Sequence, residues 1–561
     1  GLVLPGPVFF IPSAGETVPA TIQNTHFVTT RALNNPSLKP KDHVYLRLVK
    51  NLAFEGCTFA NTSGVDPTDP TKWGNGIRAV NSSPLVVPLD EQRSTFDGLR
   101  YGVNASGFIA NSAPMVDQAD LADCAAGVYI VGLDNATVTS NTFAVPDADV
   151  SGQGVDAAYG AYIDAASGFV FEDNVFTGPG SGATNPTVGA VFNDTGNEAN
   201  MYYNNRFDDF AGSGGSSAGT IIMGENDGSS SGDGLVIKCN DYSNTSDNDY
   251  DVAFTGRGTT IGDQQGSDAN AQAPAGNTFA TGCSGEQHFV NPEADIAQFA
   301  YWHHNPGTTA AQVVPECATD PPIIVSGGSS WYETTAHNYF KTTVCPSFQD
   351  QLLSMGDQMA EAVGAESSQS LSETSSTEAH YYQKKACAMH RLTTMALRGM
   401  APEQLDSAIQ AHVEHPLYTS ARNLFGLYMA KGDTASAREI LQVALEEDPG
   451  SVFWQVQALH LDVLAQNTDP AMATHLIAPL QELAATGGYG GGHARAWLAM
   501  LGAGQPEVII LPTPAKRLRQ PEEVAAQRPT MQVFPNPSQG TVFVEVQVPE
   551  DAGVARLGIM D

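Results

Sequence analysis

Over the first half of the chain, apolar and polar residues alternate in short runs. Over much of the second half they recur at helical spacing. Between residues 20 and 283 a Gly commonly opens an alternating run: "NGIRAV", "YGVNAS", "AGVYIV", "YGAYID", "VGAVFN", "AGTIIM", with "YDVAFT" as the variant. A turn follows, then a second short run such as "ATVTS" or "FVFED", then Asn, any residue and an aromatic. That last element reads "TSNTF" (139–143), "EDNVF" (172–176), "YNNRF" (203–207), "KCNDY" (238–242) and "AGNTF" (275–279). Aligned on the ring, the series runs Phe27, Phe59, Phe96, Leu121, Phe143, Phe176, Phe207, Tyr242 and Phe279.

Period-2 alternation with β-branched residues, Gly and Asn predicts strands. A unit as short as 22 residues (121 to 143) is too small for a propeller blade and large enough for three strands of about four residues with their turns. The expected fold over residues 1–283 is therefore a parallel β-helix of about nine coils, with right-handed crossovers. Stacking at about 4.8 Å per coil gives a rod of roughly 43 Å. It places Asn141, Asn174, Asn205, Asn240 and Asn277 above one another as a hydrogen-bonded ladder at a tight turn. Asn tolerates the left-handed backbone such a turn needs, and the aromatics fill the interior. Cys57 and Cys239, at and beside the ladder position, read as small buried residues. This repeat resembles the right-handed β-helix proteins, a group of sugar-cleaving enzymes, phage spikes and bacterial surface proteins.

Residues 284–347, rich in aromatics and Pro, read as a cap and linker. Residues 348–503 turn to Ala, Leu, Gln and Glu, with helical periodicity in "DQLLSMGDQMAEAV", "AHYYQKKACAMHRLTTMAL", "PEQLDSAIQAHV" and "VFWQVQALHLDVLAQ". "SSQSLSETSSTE" (367–378) reads as a flexible loop. The segment 421–451, with Leu424, Gly426, Tyr428, Ala437, Leu441, Ala444 and Pro449, resembles a tetratricopeptide repeat. It implies a helical scaffold that binds a protein partner or a second copy. Residues 504–530 are a Pro- and charge-rich linker. In residues 531–561, Phe534, Pro535, Asn536, Pro537 and Gly540 precede the alternating strand Val542–Val546. This stretch resembles the start of the β-sandwich C-terminal sorting domain carried by cargo of the type IX secretion system of Bacteroidota. The translocon of that system is the partner the resemblance implies, and the outer cell surface or the medium the location. The chain begins without Met or a signal peptide and stops where further strands of such a domain are expected.

Charge narrows the choices. The chain carries 61 acidic and 26 basic side chains, and residues 101–283 hold 23 of the acids but only Arg206, Lys238 and Arg257. Such a surface repels nucleic acid and anionic membranes and suits solvation or divalent cations. No run is apolar enough to span a bilayer. The seven Cys include no C-x-x-C pair; two of Cys283, Cys317 and Cys345 can bridge in an oxidising compartment, and Cys387 reads as helix core.

The search for chemistry yields little. Asp208-Asp209 lacks the accompanying His-Gly and Arg-x-Lys of sugar hydrolases with this fold, so no catalytic residue is assigned. His303 and His304 are adjacent on an extended stretch and point to opposite faces. Asp247, Asp249 and Asp251 form an acidic run that, on a loop, offers oxygens to calcium. The expected function is a secreted cell-surface or extracellular structural or adhesion protein. The alternatives are a glycan-binding or glycan-cleaving β-helix protein, and cargo or a component of a secretion or motility assembly.

Overall fold

The computed structural model describes residues 20–30, 42–63, 74–150 and most of 157–303, short stretches at 313–315 and 323–326, Cys345, most of 375–512, and strands at 531–534 and 543–546. Residues 1–513 form one compact unit and 514–561 another.

Each coil of the first unit gives one strand to each of three sheets of eight, seven and nine strands, all paired in parallel. One coil runs through Thr137–Thr139, Thr142–Ala144 and Ala158–Asp164, the next through Val170–Glu172, Val175–Thr177 and Thr187–Asn193. Register aligns Val138 with Phe171, Phe143 with Phe176 and Ala161 with Ala190. The fold is thus a β-helix-like stack, and its nine-stranded sheet matches the nine aligned positions, eight aromatics and Leu121.

Two side-chain files hold the stack. Phe27, Phe59 and Phe96 stack with ring centroids 4.8 and 4.7 Å apart. Beyond Leu121, Phe143, Phe176, Phe207, Tyr242 and Phe279 continue at 4.4, 4.8, 5.0 and 5.9 Å. Opposite them Gly76, Gly102, Gly127, Gly160, Gly189 and Gly219 stand in register on the nine-stranded sheet. A Cβ on Gly160 would lie 2.6 Å from the Phe176 ring and 2.7 Å from the Gly189 carbonyl oxygen. At these six levels the glycine that opens the alternating run is therefore the space into which the next ring, or Leu121, fits, and the two motifs are halves of one contact.

The asparagine file runs beside it. Asn141 Nδ2 donates to Asn174 Oδ1 (3.0 Å), Asn174 to Asn205 (2.9 Å), Asn205 to Asn240 (3.0 Å) and Asn240 to Asn277 (3.3 Å). Each of these Oδ1 atoms also accepts the backbone N–H of the preceding Asn. The left-handed residue of the turn is not the ladder Asn, as expected, but the one before it: Ser140, Asp173, Asn204, Cys239 and Gly276, with φ of 54, 57, 53, 61 and 71°. The bend there turns the next side chain inward, where its carboxamide replaces backbone partners that the corner removes.

Among the described residues seven α-helices follow: α1 (Ser375–Gly399), α2 (Pro402–Glu414), α3 (Ser420–Lys431), α4 (Thr434–Glu447), α5 (Val452–Ala465), α6 (Ile477–Ala484) and α7 (Gly488–Met500). The stretch 375–378, expected as loop, is the first turn of α1. Gly432, at φ 79°, ends α3, and Asp433 caps α4 by accepting from Ser436 N. Helix α1 lies along the coil stack. Its Ala379 approaches Gly232, Gln383 donates to the Gln264 carbonyl, and Arg398 reaches the Ala113 carbonyl. Twenty-five residues of helix span about 37 Å, a length close to that of the rod. In the second unit, Met531–Phe534 pairs antiparallel with Phe543–Val546. Residues 348–374, including the first expected helix, lie outside the described residues.

Replacing Gly160 with Val should destabilise the rod by about 1–3 kcal/mol through overpacking against Phe176. Replacing Asn174 with Ala should cost a similar amount by orphaning the Asn141 amide. Urea unfolding followed by far-ultraviolet circular dichroism measures both, and unchanged midpoints would reject the paired-file account.

Candidate functional site at the rod–helix seam

A dense cluster of ionisable groups lies where the helices meet the rod. On the rod side, Asp164 ends a strand of the nine-stranded sheet, Glu172 ends one of the eight-stranded sheet, and Asp134, Asp194 and Glu198 lie in the turns between those two sheets. On the helix side stand His390 and Arg391 of α1, Arg422 of α3, and Tyr489 and Arg495 of α7. Arg391 Nη2 meets Glu172 Oε1 at 2.7 Å, and His390 Nε2 meets Glu198 Oε2 at 2.6 Å. Arg495 Nη2 bridges Asp164 (3.0 Å) and Asp194 (3.2 Å). The Tyr489 hydroxyl lies 2.7 Å from both oxygens of Asp134. A share of the acid excess read as solvation is therefore buried against bases about 200 to 330 residues away in sequence.

Packing locks the seam. The turn residue Phe108 inserts among the helices, its ring stacked 4.1 Å from Trp497 and edge-on to His460, while its carbonyl accepts from Gln457 Nε2 at 2.7 Å. A Cβ on Gly426 would stand 2.2 Å from the Ala110 carbonyl oxygen, and one on Gly492 would stand 1.9 Å from Ala165 Cβ. Gly426, one of the tetratricopeptide-like positions, lets α3 approach the rod. Ala437, Leu441 and Ala444 do pack helix to helix, around Phe425, Phe453 and Trp454.

Burial pushes Glu172 up to about 7 against the pull of Arg391, and Asp134 up to about 6 against its hydrogen bond from Tyr489. Burial acts on Glu198 too, but His390 and Arg422 outweigh it and hold that carboxyl at about 2. Burial alone accounts for most of the fall of His412 and His460 to about 4 and of His493 to about 3. Glu172, Glu198 and His390 are at most 3 % exposed. Groups this enclosed hold one another and cannot meet a substrate. The seam's chemistry is adhesion of helix to rod, supplemented by a response to pH.

The sequence-expected sites fall elsewhere. Asp249 Oδ2 accepts from Gly212 N and Ser217 N, both at 3.1 Å, and Asp251 Oδ1 accepts from Asn248 at 2.9 Å. Asp251 occupies the register position of the glycine file in its coil. Both carboxylates serve the scaffold; Asp247 lies outside the described residues. Among the described residues no group of three or more His, Cys, Asp or Glu is placed to hold a metal ion. Phe534 ends its strand, while Pro535, Asn536, Pro537 and Gly540 lie outside the described residues, as do His304, Cys283 and Cys317. Cys345 is bridged, but to Cys239, which is therefore a cross-link and not merely a small buried residue. Cys387 is half-buried and free. No described helix is long and apolar enough to cross a membrane.

Compared with family models, with curated proteins and with solved structures, the chain matches none.

Arg391→Met should cost about 3–5 kcal/mol by stranding Glu172, with part recovered on adding Glu172→Gln; denaturant unfolding of the two variants tests this. Two further variants should show opposite pH slopes. His493, folded near 3, stabilises above its unfolded value near 6.5, and that stability is lost as pH falls, so His493→Gln should gain on the native chain between about pH 6.5 and 3. Asp134, folded near 6, stabilises below its unfolded value near 3.8, and that stability is lost as pH rises, so Asp134→Asn should gain between about pH 4 and 6. Melting temperatures measured across that range would refute the assignment if the two slopes share a sign.

Proposed function

We propose that this chain is a secreted structural or adhesive protein of a Bacteroidota cell surface, carried across the outer membrane by the type IX translocon. The observation that carries the reading is the Cys239–Cys345 disulfide, which ties the rod to chain 106 residues on. Such bonds persist in oxidising compartments and are rare in reducing ones. Closing a loop of that length stabilises by roughly 4–5 kcal/mol in the chain-entropy model. A rod stiffened by stacked files, an outer layer of helices and a cross-link suits mechanical presentation. The "FPNPSQG" stretch at 534–540 and the strand pairing beside it support the export route.

The helical layer enters this reading with one face already occupied. Helices α1, α3 and α7 contact the rod, so a protein partner or a secretion or motility assembly must use the outward side, where Met395, Val413, Tyr418, Val443 and Met472 are exposed. A second reading, binding of an uncharged glycan, is favoured by one file on the nine-stranded sheet: Tyr45, Arg78, Asn104 and Tyr129 in register. The Arg78 guanidinium lies 5.5 Å from the Tyr45 ring centre. Ring faces suit the apolar faces of sugars, and Arg and Asn supply donors.

In a Bacteroidota host, a periplasmic reporter fused to the chain from residue 531 onward should reach the cell surface or medium. Deleting that region from the full protein should leave it in the periplasm. Surface display that survives the deletion would sink the export reading. A glycan array tests the second reading, with Tyr129→Ala expected to weaken any neutral-glycan signal at least tenfold.

A further inference from the structure

Lys50 opens a strand at one corner of the rod, and Asn111 and Ser112 lie in the turn two coils on, with Ser83 in the coil between. Lys50 Nζ stands 2.9 Å from Asn111 Oδ1, 2.9 Å from the Asn111 carbonyl oxygen and 2.7 Å from Ser112 Oγ. All three neighbours are neutral, and no carboxylate pairs with Lys50 among the described residues. That is an unusual setting for an ammonium in a chain with 61 acids. Burial pushes Lys50 down to about 7, so much of it is a neutral amine at physiological pH. A desolvated amine is a nucleophile. Lys50 is half-buried, and the buried His460 of α5 lies close enough for the two charges to oppose each other.

The turn that carries Asn111 is held on both sides. Ala113 N donates to Ser83 Oγ at 3.1 Å, Phe108 N to Asn81 Oδ1 at 3.0 Å, and the Phe108 ring is clamped by Trp497. The amine and the carboxamide are therefore kept together by the fold, which substitutes for a high concentration of either.

We propose that Lys50 and Asn111 join in an intramolecular isopeptide bond that staples two coils of the rod. The ammonium first gives a proton to solvent. A turn of the Asn111 side chain presents Cγ to the amine, the Nζ lone pair adds to Cγ, and the Cγ–Nδ2 bond breaks. Nδ2 leaves as ammonia with the proton that Nζ gives up, and Ser112 Oγ is placed to pass it. One amine and one carboxamide become one secondary amide and one ammonia, and no oxidant, metal or cofactor is consumed. The bond would lock the second coil to the fourth through the corner that the helices cover, independently of how the protein is exported.

Mass spectrometry of the purified full chain, reduced so that the disulfide contributes nothing, tests the proposal. The expected mass lies below that of the sequence by one ammonia, about 17 Da, and a proteolytic fragment should carry Lys50 and Asn111 on two joined peptides. Lys50→Arg, which keeps charge and donors, and Asn111→Ala should each restore the full mass. Cyclisation of Asn111 onto its own backbone would cause the same loss, but would persist in Lys50→Arg and leave Lys50 open to acetylating reagent. That result, or native peptides with Lys50 and Asn111 both unmodified, overturns the proposal. The native measurement decides the matter even if a variant fails to fold.

Discussion

The fit of an aromatic ring against a glycine, repeated through the middle coils, is the constraint on which the rod depends. Ring centroids 4.4 to 5.0 Å apart through Phe143, Phe176, Phe207 and Tyr242 match the spacing of parallel strands. Flat rings can repeat at that distance without voids, whereas a larger opposing side chain would break the contact. Because the glycine file leaves no room for a Cβ, the register of the nine-stranded sheet is set by the interior and not only by backbone hydrogen bonds. The asparagine file then secures the corner that the rings leave open, each carboxamide serving the coils above and below.

This stacking creates the seam. Repetition places equivalent turns one above another, so acids carried on successive turns become a line along the rod: Asp134, Asp164, Asp194 and their neighbours. A line of like charge is unfavourable in isolation and favourable once a helix brings guanidinium and imidazole groups to it. Helix α1, nearly as long as the stack, can place a base at more than one level. The helices are in this sense the rod's own first partner.

Much of this was legible without coordinates. The three-strand coil, the file of aromatics, the ladder of Asn141 to Asn277 and the helical character of 379–466 all follow from local periodicity, because each depends on which residue recurs at which interval. The chain also announced a large acid excess between 101 and 283, but not that Glu172, Glu198 and Asp164 would be enclosed. Nothing local distinguishes an acid bound for water from one bound for an arginine over 200 residues away.

The sequence by itself determined that residues 20–280 coil as stacked parallel strands, since alternation, ring spacing and turn residues are short-range properties that repeat. Only the tertiary structure decided what the repeats meet. It put the left-handed turn conformation on Ser140 and Asp173 instead of the ladder asparagines, joined Cys239 to Cys345, turned Gly426 toward Ala110, and set Lys50 against Asn111. Each of these depends on which distant segment arrives at a given corner. That is a matter of packing between elements whose separate patterns carry no record of one another.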